Sequence, residues 1–113
     1  MIWYVIRNPQ WKYNNEVSVL KRGWGNGYVA IPPNHCLYGK GENSHSISSK
    51  IRIHGGLTYA QHGDGENAPK DWWVFGFDTA HFGDTIEKWP KEAVEAETKK
   101  LFCQLLDIEL GGL

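Results

Sequence analysis

The sequence predicts one α+β domain spanning residues 1–113, with a small antiparallel sheet and one C-terminal amphipathic helix packed on one face of it. Short β-like runs with a two-residue period fill most of the chain, whereas a helical period replaces them from Pro90 onward. The hydrophobic content is 41% and the aromatic content 13%, which is enough for a single core in a chain of this length.

The first strands are predicted from β-branched and aromatic runs. They are Ile2–Ile6, Glu16–Arg22 and Tyr28–Ile31. The segment GWGNG separates the last two, and its Asn26-Gly27 pair tolerates positive φ. We therefore expect a hairpin here, with a longer or bulged loop favoured over a two-residue turn.

Two further strands are predicted after a polar, turn-rich segment. Pro32–Ser49 predicts a loop with at most one helical turn, and Gln61–Lys70 predicts a flexible connection. Ile51–Ala60 is predicted as a strand that Gly55-Gly56 interrupts. Asp71–Asp78 is the most strongly β-like segment of the chain.

The C-terminal segment has the period of an amphipathic helix. Pro90 suits the first helical position, and Gly111-Gly112 is a stop signal. The apolar stripe of this helix, with Phe102 at its edge, consists of Val94, Leu101, Leu105 and Ile108.

The last two strands each combine a bulky apolar face with a face on which glycine stands beside polar groups. In one strand, Trp73, Phe75 and Phe77 form the face suited to the helix. Glycine inside a strand costs about 0.5–1 kcal/mol relative to alanine. It is typical of a bulge or of a place where a ligand approaches the backbone closely. The glycine-bearing faces are therefore candidates for ligand contact.

We expect a shallow pocket where these two faces meet. If the strands pair, Gly56 and Gly76 form its floor, and a valine at either position would fill ligand space while leaving the fold intact. The polar groups around the floor and the aromatic wall beside it are His54, Thr58, Asp78 and Trp72.

The most concentrated polar motif is DTAHFGD, in which Asp78 and Asp84 bracket His81 at steps of three. If this segment forms a helical turn, the three side chains converge. Aspartate and imidazole suit Mn or Zn, or a His–Asp acid/base pair, and a local capping role is the simpler alternative. The spacing matches no strong metal signature such as HExxH, so the sequence assigns no metal ligands and no cofactor.

Four blocks together resemble a family of small proteins common in bacteriophage genomes, most of which have no assigned function. The blocks are GYVAIP, HCLYG, HGGLTY and WVFGFDTAHFGD, and the resemblance runs from about Gly23 to Asp84. Where the family has a turn like E-G-H-P, this chain has Pro33-Asn34-His35-Cys36. The matching positions are His35, Tyr38, Gly39, His54, Gly55, Gly56, Thr58, Gly76, Asp78, His81 and Asp84. The resemblance implies a phage accessory protein.

The favoured hypothesis is a binding protein in the cytoplasm of an infected bacterial host that sequesters a small polar ligand, first of all a nucleotide-derived immune signal. His54 and Thr58 are expected to bond the ligand, Gly55-Gly56 to offer N–H groups to a phosphate, and a tryptophan to stack on the base. The net charge of −1 indicates no extended nucleic acid, and no apolar run has the length of a membrane span. The sequence leaves open whether the protein forms a homo-oligomer.

Two alternatives use different residues. In the first, His54, Asp78, His81 and Asp84 form a hydrolytic site with or without a metal. In the second, the protein inhibits a host defence factor through exposed tryptophans, for which Trp11 and Trp24 are the candidates. The opening residues lack an export signal, so Cys36 and Cys103 are expected to be reduced thiols.

Overall fold

The computed structural model describes residues 1–8 and 22–111. The predicted strand Glu16–Arg22, apart from Arg22, and the candidate anchor Trp11 lie outside this part. The strands are β1 Ile2–Arg7, β2 Gly25–Ile31, β3 Tyr59–His62 and β4 Trp73–Phe77, and the helices are α1 His45–Ser48 and α2 Lys91–Gly111.

The four strands form one antiparallel sheet in the order β1-β2-β4-β3. The C-terminal helix α2 packs on this sheet over β2 and β1. The α+β fold predicted from the sequence is therefore confirmed, as is the single helical turn within the predicted loop Pro32–Ser49. Cys36 and Cys103 are both free and exposed.

The side of the sheet that faces α2 holds the main core. Phe75 and Phe77 of β4 pack there with Val29 and Ile31 of β2, as the strand alternation predicts. From the helix, Val94, Leu101 and Leu105 are fully buried, and Ile108 and Phe102 pack at the edge. The predicted apolar stripe is confirmed.

The opposite side of the sheet carries a row of tyrosine rings, which we call the tyrosine face: Tyr4, Tyr28 and Tyr59. Tyr28 stacks on Tyr4 with ring centroids 5.1 Å apart and meets Tyr59 edge-on at 5.3 Å. Burial raises the pKa of Tyr28 above its ordinary value, as expected for a phenol packed between rings.

The hairpin turn predicted at Asn26-Gly27 is wrong. Both residues lie inside β2, where Asn26 pairs with Ile6 and Gly27 with Val5. A side chain at Gly27 would collide with the hydroxyl of Thr98 and the ring of Phe77. The glycine is therefore a site of close packing between the sheet and α2.

The predicted strand Ile51–Ala60 is also wrong over most of its length. Only Tyr59–His62 pairs with β4, and the strand continues into residues that were predicted as a connection. Residues 51–58 form an irregular loop, because Gly55 and Gly56 adopt φ of +67° and +77°, which lie outside the range of a regular strand. Within the described residues, no helix has the length and apolar character needed to cross a membrane.

Candidate functional site

Two β-turns bring the candidate side chains together. In the first, Gly56 donates its backbone N–H to the carbonyl of Ile53 at 3.0 Å, and His54 lies at the second position. In the second, Asp84 donates its backbone N–H to the carbonyl of His81 at 2.9 Å. The third residues, Gly55 and Gly83, have φ of +67° and +89°, as a type II turn requires.

His54 and Asp84 form the central contact of the site. Nε2 of His54 lies 2.9 Å and 3.0 Å from the two carboxylate oxygens of Asp84. Asp84 is buried, whereas a quarter of the His54 side chain is exposed. A charge-assisted contact between a buried carboxylate and a partly exposed imidazole fixes the position of the ring.

His81 completes the group, with two carboxylates around one nitrogen. Its Nδ1 lies 3.4 Å from Oδ1 of Asp78 and 3.5 Å from Oδ2 of Asp84. This nitrogen is buried and makes no hydrogen bond with any described residue. The backbone N–H of His81 donates to Asp84 at 2.9 Å, so one carboxylate holds both histidines. We call His54, His81 and Asp84 the His–Asp cluster.

Gly55 lets the two turns approach each other. A Cβ at this position would overlap the imidazole of His81, whereas a Cβ at Gly56 would meet no atom within 4 Å. The sequence predicted a close approach of a ligand at Gly56, whereas the close approach in the structure is at Gly55, and the approaching group is a side chain of the protein itself.

The helix α2 positions the first turn through residues that the sequence analysis missed. The carboxylate of Glu97 accepts the backbone N–H of His54 at 2.7 Å. Gln104 bonds the backbone of Arg52 at both ends, accepting its N–H at 2.7 Å and donating to its carbonyl at 2.8 Å. The two polar residues are seven positions apart, hence on one side of the helix, and this spacing was the available signal.

Trp89 is the other missed contributor. Its ring lies 4.2 Å from the His54 ring, measured between centroids, with an angle of 34° between the planes. The indole covers one side of the imidazole, so His54 is held between an aromatic surface and a carboxylate. Trp24, a candidate protein anchor, is partly buried against the core instead, and the ammonium of Lys91 lies 5.6 Å from its ring.

The carboxyl group of Asp84 is kept ionised by its partners. Burial acts to raise its pKa, whereas hydrogen bonds from the His54 ring and the His81 backbone act to lower it, and the net pKa is below its ordinary value. A buried carboxylate that stays negative favours a cation or a positively charged imidazole beside it.

An open cleft of about 450 Å³ adjoins the His–Asp cluster through Gly55 and Gly56, which line it. Its polar lining comes from Glu42, Asn43 and Arg52, together with Ser48, and four aliphatic side chains complete the wall. The guanidinium of Arg52 is held in place because it donates to the carbonyl of Ser48 at 2.6 Å. This volume is within the range of small-molecule sites.

Some predicted site residues lie elsewhere. Gly76 is opposite Tyr28 on the tyrosine face, where a Cβ would stand 2.5 Å from the tyrosine ring. Trp72 packs on that same face. The predicted floor of Gly56 and Gly76 therefore does not form, because the space above Gly76 is filled by Tyr28. Thr58 is exposed and pairs through its backbone with Gly76 at 2.9 Å.

His35 is a structural residue. Its Nε2 donates to the carbonyl of Leu105 at 2.9 Å, and its Nδ1 accepts the backbone N–H of Leu37 at 3.0 Å. The ring is buried, so neither nitrogen is left for a ligand. The N–H of Gly56 is likewise used inside its turn, which contradicts its predicted role as a phosphate donor.

Comparison of the chain with protein-family models, curated proteins and solved structures finds no match.

Proposed function

We propose that the protein binds a small polar ligand in the cleft beside the His–Asp cluster. The observation that carries this proposal is the continuity of the two features: Gly55 lines the cleft on one side and packs on the His81 imidazole on the other. A ligand seated on Gly55 therefore lies across this residue from the His81 imidazole. Sequestration of a nucleotide-derived signal, as the resemblance to phage proteins implies, is the form of this function to test first.

The cleft lining indicates the kind of ligand. Arg52 supplies a permanent positive charge, and Glu42 and Asn43 offer acceptors and donors at the same cleft. The aliphatic wall suits a flat apolar body, such as a base or another small ring. The presence of one arginine and one glutamate in the lining favours a ligand with a single anionic group and a separate hydrogen-bonding edge.

A panel of mononucleotides, cyclic nucleotides and nicotinamide-derived nucleotides, titrated by calorimetry, tests the proposal. We expect one member to bind with a stoichiometry of one per chain. Arg52→Ala should weaken that binding at least about tenfold, because it removes a charge-assisted contact. Lys50→Ala is the matched control, since Lys50 is an exposed cation two residues away that does not line the cleft.

The second experiment is native mass spectrometry of protein purified from bacteria that produce nucleotide-derived signals. A ligand that is retained and recovered unchanged supports sequestration. No heat with any member of the panel, together with protein that emerges ligand-free, would rule the proposal out. Equal loss of affinity in Arg52→Ala and Lys50→Ala would place the ligand outside the cleft.

A second candidate, hydrolysis, is favoured by the His54–Asp84 contact. Asp84 accepts the Nε2 proton of His54, which leaves Nδ1 as a base that can take a proton from water while hydroxide attacks the substrate. Asp84 then stabilises the imidazolium. Turnover of the bound ligand that disappears in Asp84→Asn, with binding retained, would favour hydrolysis over sequestration.

A further inference from the structure

We propose that the His–Asp cluster binds one divalent first-row transition-metal ion, with Zn²⁺ as the reference case. Among the described residues, His54, His81 and Asp84 form a group whose ligand atoms all lie within 4.8 Å of one another. The sequence assigned no metal ligands here because the spacing matches no strong metal signature, although it named these residues as suited to a metal. Metal binding is independent of the proposed ligand binding and is measured without any ligand.

Two of the three separations between ligand atoms are close to those of a tetrahedral ion. Zn²⁺ binds nitrogen and oxygen ligands at about 2.0–2.2 Å, so two ligands of one ion are roughly 3.2–3.6 Å apart. The Asp84 carboxylate lies 2.9–3.0 Å from Nε2 of His54 and 3.5 Å from Nδ1 of His81. A small outward movement of His54 opens the space. Its proton then resides on Nδ1, so that the lone pair of Nε2 faces the ion.

The unpaired nitrogen of His81 is a second, independent observation. Its buried Nδ1 makes no hydrogen bond, yet it points between two carboxylates, Asp78 and Asp84, at 3.4 Å and 3.5 Å. A neutral nitrogen with its lone pair toward two negative groups is unfavourable, and a buried polar atom without a partner carries a cost. A metal ion would satisfy the nitrogen and neutralise the carboxylates. A protonated His81 is the alternative that the experiment excludes or reveals.

The ligand types identify the class of ion. Two imidazole nitrogens and one carboxylate suit Zn²⁺, Fe²⁺ or Co²⁺, whereas Mg²⁺ and Ca²⁺ prefer oxygen ligands throughout. Three protein ligands leave at least one coordination position for water or for a group of a ligand, as in open zinc sites.

The surroundings hold the ligands in place. Glu97 bonds the backbone of His54 at 2.7 Å, and Trp89 covers its ring. The backbone N–H of Ala80 donates to Asp78 at 3.0 Å, which fixes the second carboxylate beside His81. Side chains fixed by neighbouring groups before the ion arrives lose little conformational freedom on binding it.

Calorimetric titration of chelator-treated protein with ZnCl₂, CoCl₂ and MgCl₂ is the primary experiment. We expect one equivalent of Zn²⁺ and of Co²⁺ to bind, with no saturable binding of Mg²⁺. The Co²⁺ form should show visible absorption bands of a low-symmetry nitrogen–oxygen site. Addition of Zn²⁺ should raise the melting temperature, because an ion that binds only the folded chain stabilises it.

Variants locate the ion. Single His54→Ala, His81→Ala and Asp84→Asn substitutions should each weaken Zn²⁺ binding more than about 100-fold, beyond the roughly 10–100-fold typical of a lost outer partner. Asp78→Asn should weaken binding about tenfold if Asp78 supports His81 from outside the ligand set. His45→Ala is the control, since His45 is exposed and outside the cluster.

The variant His81→Ala keeps the test informative if Asp84→Asn fails to fold, since the His81 backbone N–H still donates to Asp84. Retained one-to-one binding in His81→Ala and His54→Ala would overturn the proposal. So would wild-type protein that binds no Zn²⁺. Equal loss in His45→Ala would show that binding is not specific to the cluster.

Discussion

Gly76 and Gly55 are both glycines against which a ring is packed, yet the two regions serve different purposes. At Gly76 the ring is Tyr28, which stacks on Tyr4 in the interior of the tyrosine face. At Gly55 the ring is His81, which is one third exposed and belongs to the His–Asp cluster. The backbone of Gly55 has φ of +67°, whereas Gly76 lies in a regular strand.

The comparison teaches that a glycine inside a β-like run marks a close approach without saying what approaches. An aromatic ring that packs on the strand and a functional group that needs space leave the same trace in the sequence. The polarity of the approaching side chain distinguishes the two cases, and only the three-dimensional structure shows which side chain approaches.

Gly76→Val is expected to have the largest effect on stability, and it tests the packing side of the comparison. The new side chain collides with Tyr28, which cannot move away because Tyr4 and Tyr59 enclose it. Overpacking of this kind costs about 1–3 kcal/mol, and we expect the upper end. Urea unfolding measures the loss, with Gln61→Val on the exposed strand β3 as the control.

The same substitution in a Tyr28→Ala background should cost much less, since the space is then empty. Equal costs in the two backgrounds would show that Tyr28 is not what excludes a side chain at Gly76. Retention of full stability in Gly76→Val would restore the earlier expectation that this glycine faces open space.

The variants Gly55→Ala and Gly56→Ala test the other half of the comparison, the close approach of Gly55 to the His–Asp cluster. Both residues have positive φ, so each alanine should cost about 1–2 kcal/mol through backbone strain. Only the alanine at position 55 meets a neighbour, the imidazole of His81. We therefore expect a displaced His81 ring signal in the NMR spectrum of Gly55→Ala alone.

Zn²⁺ affinity extends this comparison. Gly55→Ala should lower it by about tenfold or more, the scale of a disturbed ligand orientation, while Gly56→Ala leaves it unchanged. If both variants lost affinity equally, backbone strain in the turn would be responsible, and the close approach of Gly55 to His81 would have no separate role.

The fold was largely predictable because its signals are local. The alternation of Trp73, Phe75 and Phe77 identified the face toward the helix, and the helical period identified Val94, Leu101 and Leu105 as core. The failures at Asn26-Gly27 and Ile51–Ala60 have one cause. Glycine is compatible with both turn and strand. In each segment, contacts with α2 that are distant in the sequence determine the conformation: Thr98 packs at Gly27, and another residue of α2 binds the backbone of His54.

The site was predictable in part. The triplet Asp78, His81 and Asp84 was recognised from its spacing, and His54 was recognised beside the glycine doublet. Their convergence was expected through strand pairing with Gly76, but it occurs through two turns tied to α2. Glu97 and Trp89 were missed because a glutamate in a helix and a tryptophan before it are ordinary features until their partners are known.

The helix contact that holds the His54 turn is expected to give a smaller effect. Glu97→Ala removes the acceptor of the His54 N–H and should cost about 1 kcal/mol, since the pair is only partly buried. Amide exchange at His54 should accelerate roughly fivefold if it occurs by local opening of the turn. Glu95→Ala, on the same helix, is the control, and equal acceleration there would disprove a specific role for Glu97.

The smallest expected effect concerns Asp64, which shares a depressed pKa with Asp84 but lies outside the site. Its carboxylate accepts the backbone N–H groups of Glu66 and Asn67, both at 2.8 Å, and these bonds lower the pKa of Asp64 to about 2. The group is exposed, so the shift comes from turn geometry and does not mark a functional site.

The sign of the Asp64 effect follows from linkage. The folded pKa is below the unfolded value of 3.8, so the stabilisation is complete above about pH 3.8 and is lost as the pH falls through about 2. Carboxyl NMR should show Asp64 titrating near 2, and Asp64→Asn should remove its part of the acid sensitivity while leaving Zn²⁺ binding intact. Titration of Asp64 near 3.8 would mean that the turn does not form in solution. Loss of Zn²⁺ binding in Asp64→Asn would instead show that the Asp64 turn affects the His–Asp cluster. Asp64 could then no longer be placed outside the site.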